Sequence, residues 1–174
     1  ELRTAIMAHA VRREITPDVI EVLLATYPKV TNSEFRDDIA SALTSTKNEE
    51  VIARLTELLK DATFIRPQDF IHWFVWLLRN RYSRATLWQW TRDNWSWIHT
   101  TFKGDSHYDM FPRYIAGALV TKAQFQEYKD FFGPLESEVS LSRNIKIGYN
   151  ELESTVSLLE TDGPVVRDAL LNLN

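Results

Sequence analysis

Histidine is a common zinc ligand and general base, and this chain has four histidines: His9, His72, His99 and His107. No two of them are three or four residues apart, so no single helix carries two imidazoles on one face, and the His-Glu-x-x-His spacing is missing. A zinc site that tertiary contacts assemble from these histidines is an alternative, but ordinary core or surface positions are favoured. We therefore predict no metal site in this chain.

Motifs for other reaction classes are also missing. The sequence contains no Gly-x-x-x-x-Gly-Lys, no Gly-x-Gly-x-x-Gly and no Gly-x-Ser-x-Gly, and it has no cysteine to act as a nucleophile. The adjacent carboxylates Asp37-Asp38 and Glu49-Glu50 would point about 100° apart on a helix. We expect them on solvated faces or beside helix dipoles, so we predict no catalytic residue here.

Aromatic and basic side chains are the remaining candidates for ligand binding. All six tryptophans lie between Trp73 and Trp97, which could form an aromatic platform for sugars, bases or cations. Their helical spacing among Leu, Ile and Phe favours a buried core instead. Arg113 and Tyr114 follow Pro112 at a predicted helix start and are better candidates for facing a ligand. A structural ion pair or an interdomain contact is the alternative for these two.

The net charge of −4 and pI near 5.6 disfavour a nucleic-acid or anionic-membrane partner. One alternative function is nevertheless a nucleic-acid-binding repeat protein that uses the arginines between positions 79 and 92 to contact phosphates. The longest nearly apolar run, Phe70 to Leu78, is half of the roughly 20 residues that span a bilayer. Together with the absence of cysteine, this predicts a cytoplasmic location.

The composition and hydrophobic spacing predict an all-α fold. Five glycines and six prolines are few for the turns of a β fold, and no segment shows sustained alternation of apolar and polar residues. Asn48 and the pair Thr121 and Gln124 have the spacing of helix caps, and Pro17 is expected at the first position of a helix. We predict about ten helices: 2–14, 17–28, 34–45, 49–60, 68–80, 83–102, 107–119, 122–132, 138–161 and 164–172.

The first third contains an internal repeat. Residues 1–6 align with residues 34–39 at an offset of 33, and Val19-Ile20 aligns with Val51-Ile52 at an offset of 32. Each unit is a helical hairpin that cannot bury its apolar face alone. We therefore predict that residues 1–174 form a single domain, a right-handed α-solenoid of HEAT/armadillo-like helical hairpins.

An ordered series of short segments runs through the middle and the second half of the chain. The segments are Arg66-Pro67-Gln68-Asp69-Phe70, Leu77-Leu78-Arg79-Asn80, Trp88-Gln89-Trp90-Thr91-Arg92-Asp93-Asn94-Trp95, Phe111-Pro112-Arg113-Tyr114, Tyr128-x-x-Phe131-Phe132, and Ser142-Arg143-Asn144-Ile145 with Glu151. This series resembles the C-terminal helical domain of the aminopeptidase N type of zinc metallopeptidase, which endoplasmic-reticulum aminopeptidases share. The tryptophan-dense form is most similar to aminopeptidase N of lactic-acid bacteria. The turn at Arg81-Tyr82-Ser83 departs from the pattern, because many relatives carry a glycine there.

The resemblance implies one part of a longer, multidomain hydrolase that releases N-terminal amino acids from peptides. In such enzymes the Zn²⁺ and the catalytic residues lie in an upstream domain, so the isolated chain is expected to be inactive. The helical domain is expected to cap the active-site chamber and to gate or contact peptide substrates. On this basis Arg79, Arg92, Arg113 and Tyr114 are candidate peptide-channel or interdomain residues. The alternative is a free-standing helical-repeat adaptor that binds a protein or peptide.

Overall fold

The computed structural model describes residues 2–14, 16 and 18–172, and this part of the chain contains helices and turns but no strand. The prediction of an all-α fold is confirmed. The α-helices of the described chain are α1 (Leu2–Arg13), α2 (Val19–Thr26), α3 (Ser33–Leu43), α4 (Glu49–Leu58), α5 (Phe70–Arg79), α6 (Arg84–Asp93), α7 (Trp95–Phe102), α8 (Phe111–Ala116), α9 (Lys122–Phe132), α10 (Val139–Thr161) and α11 (Gly163–Leu171).

The chain forms two compact units, residues Glu1–Asp93 and Asn94–Asn174. In the first unit, α1 contacts α2 and packs against α3, and α4 contacts α6. Helix α5 contacts α3 and α6. The right-handed solenoid and the single domain stay predictions.

The core of the first unit is built on large side chains from successive helices. Trp73 and Phe74 of α5 are fully buried, as are Ile39 and Leu43 of α3. Burial of each large ring removes roughly 150 to 250 Å² from water, so these helices provide much of the unit's hydrophobic stabilisation. The prediction that Trp73 belongs to the core is confirmed.

The predicted helix caps are present where the structure describes them. The side chain of Asn48 accepts hydrogen bonds from the backbone N–H groups of Glu50 and Val51. Thr121 and Gln124 form a reciprocal capping box at the start of α9. These contacts satisfy backbone donors that the first turn of a helix leaves unpaired. The prediction that Pro17 begins a helix lies outside the described residues.

The prediction of a single helix over 83–102 is wrong, because the helix is interrupted at Asn94, between α6 and α7. Asn94 has φ −113° and ψ 14°, outside the α-helical region. Asparagine disfavours helix interiors because its side chain competes for backbone hydrogen bonds. Apolar residues continue at helical spacing across the break, so the periodicity gives no sign of it.

The second unit is organised around the long helix α10, which contacts α8, α9 and α11. Gly148 of α10 lies against Tyr128 of α9, and a Cβ atom at position 148 would overlap the Tyr128 hydroxyl and lie 3.1 Å from Ala116 Cβ. That hydroxyl donates a 3.0 Å hydrogen bond to the carbonyl oxygen of Pro112. Glycine at position 148 therefore allows the close packing of α10 on its neighbours.

Asp38 does not lie on a solvated face, contrary to the sequence-based expectation. It is 8% exposed, and its carboxylate accepts hydrogen bonds from the Thr4 hydroxyl and the Arg3 guanidinium. These bonds to the charged form, that from Thr4 first, lower the pKa of Asp38. Asp38 therefore links α3 to α1, the corresponding first helices of the two repeats.

Candidate functional site

A groove of about 390 Å³ lies in the first unit, where the C-terminal ends of α1, α3 and α5 come together. Its walls combine basic, aromatic and small polar side chains. The lining residues are Arg12, Ser41, Thr44, Ser45, Lys47, Trp76, Arg79, Asn80, Arg81 and Tyr82. This composition suits a polar ligand with an apolar part better than a purely apolar ligand.

Asn80 fixes the turn that forms one wall of the groove. Its side-chain amide donates hydrogen bonds to the carbonyl oxygens of Thr44, at 2.9 Å, and Thr46, at 2.7 Å. The turn after α5 is therefore attached to the end of α3. The Ser83 hydroxyl holds the other end of this turn by donating a 2.5 Å hydrogen bond to the Leu77 carbonyl oxygen. Ser83 thus stabilises the turn between α5 and α6.

Four cationic side chains line the groove: Arg12, Lys47, Arg79 and Arg81. No carboxylate belongs to the lining, and within the described part of the chain none of the four forms an ion pair. Lys47 Nζ lies 5.6 Å from the centre of the Tyr82 ring, and the guanidinium carbon of Arg81 lies 4.9 Å from it. Cation–π contacts therefore hold two of the cations beside one aromatic ring.

The electrostatics of the groove favour an anion. Each helix C-terminus carries about half a negative elementary charge, which attracts the arginines but is smaller than the full charge of each cation. The C-terminal ends of α1, α3 and α5 together supply about one and a half negative charges, which is less than half of the four positive charges in the groove. Arginine can bind a carboxylate or phosphate through two parallel hydrogen bonds, and the hydroxyls of Ser41 and Ser45 add polar groups to the lining. The groove is thus suited to a carboxylate or phosphate on a ligand that also contacts Trp76.

The sequence of residues 1–154 matches the model of one protein family, the ERAP1-like C-terminal domain. The chain belongs to this family. The expected relationship to the C-terminal domain of the aminopeptidase N type is thereby confirmed.

Curated relatives of this ERAP1-like C-terminal domain are aminopeptidases. The chain is 30% identical to aminopeptidase N of Lactobacillus helveticus over 170 residues, which are 98% of this chain and 20% of that protein. It is 29% identical to aminopeptidase N of Lactococcus lactis subsp. lactis over 169 residues, 97% of this chain and 20% of that protein. Glutamyl aminopeptidase of Mus musculus is 27% identical over 109 residues, 63% of this chain and 12% of that protein. The chain thus spans about one fifth of the first two relatives.

Two of the residues predicted for a peptide channel lie in the first unit of the domain. Arg79 is exposed at the end of α5 and lines the groove. Arg92 does not line it: its guanidinium carbon lies 4.9 Å from the centre of the Trp88 ring, and it donates a hydrogen bond to Gln89 on the same helix. The structure therefore does not bring Arg79 and Arg92 together in the groove.

Arg113 and Tyr114 are adjacent on α8 in the second unit. Arg113 forms a bidentate ion pair with Glu151 of α10, with 3.0 Å between Nε and Oε1 and 2.7 Å between Nη2 and Oε1. The Glu151 carboxylate raises the pKa of Arg113. Tyr114 is half-buried. The structural ion pair that the sequence left as an alternative for Arg113 is present, while a role in a peptide channel stays a prediction.

Sequence reasoning missed three of the four cations of the groove: Arg12, Lys47 and Arg81. They come from the end of α1, the turn after α3 and the turn after α5, positions that no single motif or helical period connects. A weak signal was available, because the turn at Arg81-Tyr82-Ser83 departs from the pattern of the resemblance. The repeat also predicts that the ends of α1 and α3 lie side by side.

The histidines do not assemble a metal site among the described residues. His72 Nδ1 lies 3.9 Å from Asp37, His99 Nδ1 lies 4.0 Å from Glu138 and His107 Nδ1 lies 3.1 Å from Asp105, so each of these three has a different carboxylate. In residues 2–14, 16 and 18–172 no group of three or more His, Asp or Glu side chains could hold a metal ion. The described residues therefore offer no set of ligands for the zinc ion that the resemblance places in an upstream domain.

Among the described helices, none is both long enough and apolar enough to cross a membrane.

Proposed function

We propose that this domain is the C-terminal accessory part of a zinc-dependent aminopeptidase, in which an upstream domain releases N-terminal amino acids from peptides. The family match and the names of the relatives support this assignment. The sequence itself contains no His-Glu-x-x-His motif, so the zinc ion and the catalytic groups would come from the upstream part. A cytoplasmic location remains part of the proposal, supported by the absence of cysteine.

Within that enzyme, the domain caps the active-site chamber and contacts the part of a peptide that is distant from the reacting amino terminus. The observation that carries this proposal is the groove with four cations and no carboxylate. Every unmodified peptide ends in a carboxylate, and Arg79 and Arg81 offer the bidentate geometry that such a group accepts. Trp76 and Tyr82 provide apolar surface for the last side chain of the peptide.

The other predicted channel or interdomain residues have less direct roles in this proposal. Arg92, Arg113 and Tyr114 are proposed as interdomain or channel residues, and the contacts of Arg92 with Trp88 and of Arg113 with Glu151 support a positioning role. The side chains of Arg92 and Arg113 are held by partners in their own unit. Arg79 is therefore the nominated residue best placed to bind a ligand directly.

The experiment is to measure steady-state kinetics of the full-length enzyme carrying Arg79→Gln. A hydrogen bond to a charged group contributes about 1.5 to 3 kcal/mol, so kcat/KM for a peptide long enough to reach the groove should fall roughly tenfold or more. A single aminoacyl-p-nitroanilide cannot reach the groove, so its hydrolysis should be unchanged. The matched control is Arg54→Gln, an exposed arginine of α4 that pairs with Glu21 outside the groove.

Two results would contradict the proposal. Equal losses for the long peptide and the small substrate would mean that Arg79 acts on the catalytic domain as a whole. Unchanged kinetics for both substrates would mean that the groove does not contact peptides.

A further inference from the structure

The two last helices of the domain carry an apolar surface that the described chain leaves uncovered. Helix α10 is buried through Leu152 and Val156, but beyond these residues Leu158 is 59% exposed and Leu159 is 47% exposed. Helix α11 has no buried residue, and its side chains at Val166 and Leu170 are 55% and 61% exposed. The apolar surface therefore begins where α10 leaves the core of the second unit.

These side chains form one continuous groove, because only Asp162 separates α10 from α11 and its backbone is close to helical, with φ −96° and ψ −24°. The groove has a volume of about 690 Å³. We call it the terminal groove; its lining residues are Leu158, Leu159, Asp162, Gly163, Val166, Arg167, Leu170 and Leu171. Only Asp162 and Arg167 carry charge, and the two charges have opposite signs. The terminal groove therefore attracts neither anions nor cations strongly, and its occupant must be largely apolar.

Exposed apolar surface of this kind is unusual on a protein that functions alone. Contiguous apolar patches on monomers are small, and larger ones mark contacts with other proteins or with membranes. An amphipathic helix suits this groove, because its apolar face presents side chains at intervals of three and four residues. The lining residues of the terminal groove recur at the same intervals along the end of α10 and α11 and are mostly apolar.

We propose that the terminal groove is covered by an apolar helical face from the remaining part of the same polypeptide, upstream of this domain. The chain spans only 20% of the aminopeptidase N relatives, so four fifths of such a protein is available to provide the occupant. Aminopeptidase N of Lactococcus lactis subsp. cremoris matches 173 residues, 99% of this chain, so α11 belongs to the segment that the chain shares with that protein. A segment of the same polypeptide also has a high effective concentration, which favours it over a separate partner.

This inference rests on the proposed function, because it requires that the domain is part of a longer enzyme. It concerns a different surface, however. The terminal groove is apolar and lies in the second unit, whereas the groove with the four cations Arg12, Lys47, Arg79 and Arg81, here called the cationic groove, lies in the first. Its test therefore measures accessibility and not hydrolysis. Failure of this test would leave the kinetic test of Arg79 unaffected.

The experiment uses thiol labelling of the full-length polypeptide, because the 174-residue chain contains no cysteine of its own. Val166→Cys places a thiol in the terminal groove, and Val139→Cys is the matched control at a valine that is 91% exposed on α10. Mass spectrometry of the peptide that contains the introduced thiol follows alkylation in the native and denatured protein. Cysteine reactivity depends on exposure, so the thiol at position 166 should react at least about tenfold more slowly in the native protein, while position 139 reacts within about threefold of its denatured rate.

Two outcomes would overturn the proposal. Equal native and denatured rates at position 166 would show that the terminal groove is open in the full-length protein. Slow labelling that becomes fast on dilution, together with a dimer by light scattering, would show that a second copy of the chain is the occupant. Slow labelling of a monomer, independent of protein concentration, is the expected result.

Discussion

The indole N–H of Trp73 donates a 2.8 Å hydrogen bond to the hydroxyl of Tyr27, 46 residues earlier in the chain. Their rings meet edge to face, with 5.0 Å between the centroids and 86° between the planes. Both side chains are buried, so this bond satisfies an indole donor that water cannot reach. It joins the end of the first repeat to α5, the helix that also forms a wall of the cationic groove.

Replacing Tyr27 with phenylalanine should destabilise the domain at neutral pH. The substitution keeps the ring but leaves the Trp73 donor buried without its acceptor, which costs about 1 to 3 kcal/mol. Urea denaturation followed by tryptophan fluorescence measures the change. Tyr82→Phe is the control, because Tyr82 is 43% exposed and its hydroxyl can be replaced by solvent at little cost. Equal stability of the Tyr27 and Tyr82 variants would contradict the assignment.

Tyr27 should also make the domain sensitive to alkaline pH. Burial raises the pKa of Tyr27 from 10.0 to about 12, so the folded state favours the protonated phenol. This contribution to stability is complete below pH 10 and is lost as the pH rises toward 12. Two pKa units correspond to about 2 to 3 kcal/mol. Between pH 8 and pH 11.5, the free energy of unfolding should therefore fall more for the unmodified domain than for Tyr27→Phe. Equal decreases for the two proteins would contradict this prediction.

Asp38 should contribute stability that disappears in acid. Its pKa is below the usual 3.8 because Thr4 and Arg3 bind the carboxylate, so its contribution is present above pH 4 and is lost as the pH falls through the lowered pKa. Asp38→Asn should lower the free energy of unfolding by about 1 kcal/mol or more at pH 7 and by much less near pH 2. Thermal unfolding at the two pH values checks this. Asp37→Asn is the matched control, because that neighbour is about half exposed; an equal effect of both substitutions would contradict the prediction.

Gly148→Ala should destabilise the second unit. The new methyl group would overlap the Tyr128 hydroxyl, and overpacking of this kind costs about 1 to 3 kcal/mol. Gly163→Ala is the control, since no atom lies within 4 Å of a Cβ there. Adding Tyr128→Phe to the Gly148 variant removes the overlapping oxygen and should recover part of the loss. Additive destabilisation by the two substitutions would show that they do not conflict.

Local patterns in the sequence predicted much of the secondary structure. Helix α9 has the predicted bounds, because Thr121 and Gln124 form the expected capping box at its start. The break at Asn94 was not predictable from periodicity, since apolar spacing continues through it. Asp38 was misassigned for a related reason: spacing places it beside Asp37, but only packing of α1 against α3 brings Arg3 and Thr4 to it.

The candidate site was less predictable than the fold. Arg79 was nominated from the family resemblance, but the cations beside it come from the ends of different helices and from turns. Helix ends meet only after the apolar faces have packed, and no short-range pattern encodes which ends will be neighbours. The Asn80 amide, which attaches one turn to another, gave no signal in the sequence for the same reason.

The central claim is that the cationic groove binds the carboxyl terminus of a peptide in a longer aminopeptidase. The most direct test is the ratio of kcat/KM for two peptides of identical sequence, one with a free C-terminal carboxylate and one amidated, in the full-length enzyme and in its Arg79→Gln/Arg81→Gln variant. We predict a preference of about tenfold or more for the free carboxylate in the unmodified enzyme, which falls to near one in the variant. A ratio that is the same in both enzymes would contradict the claim.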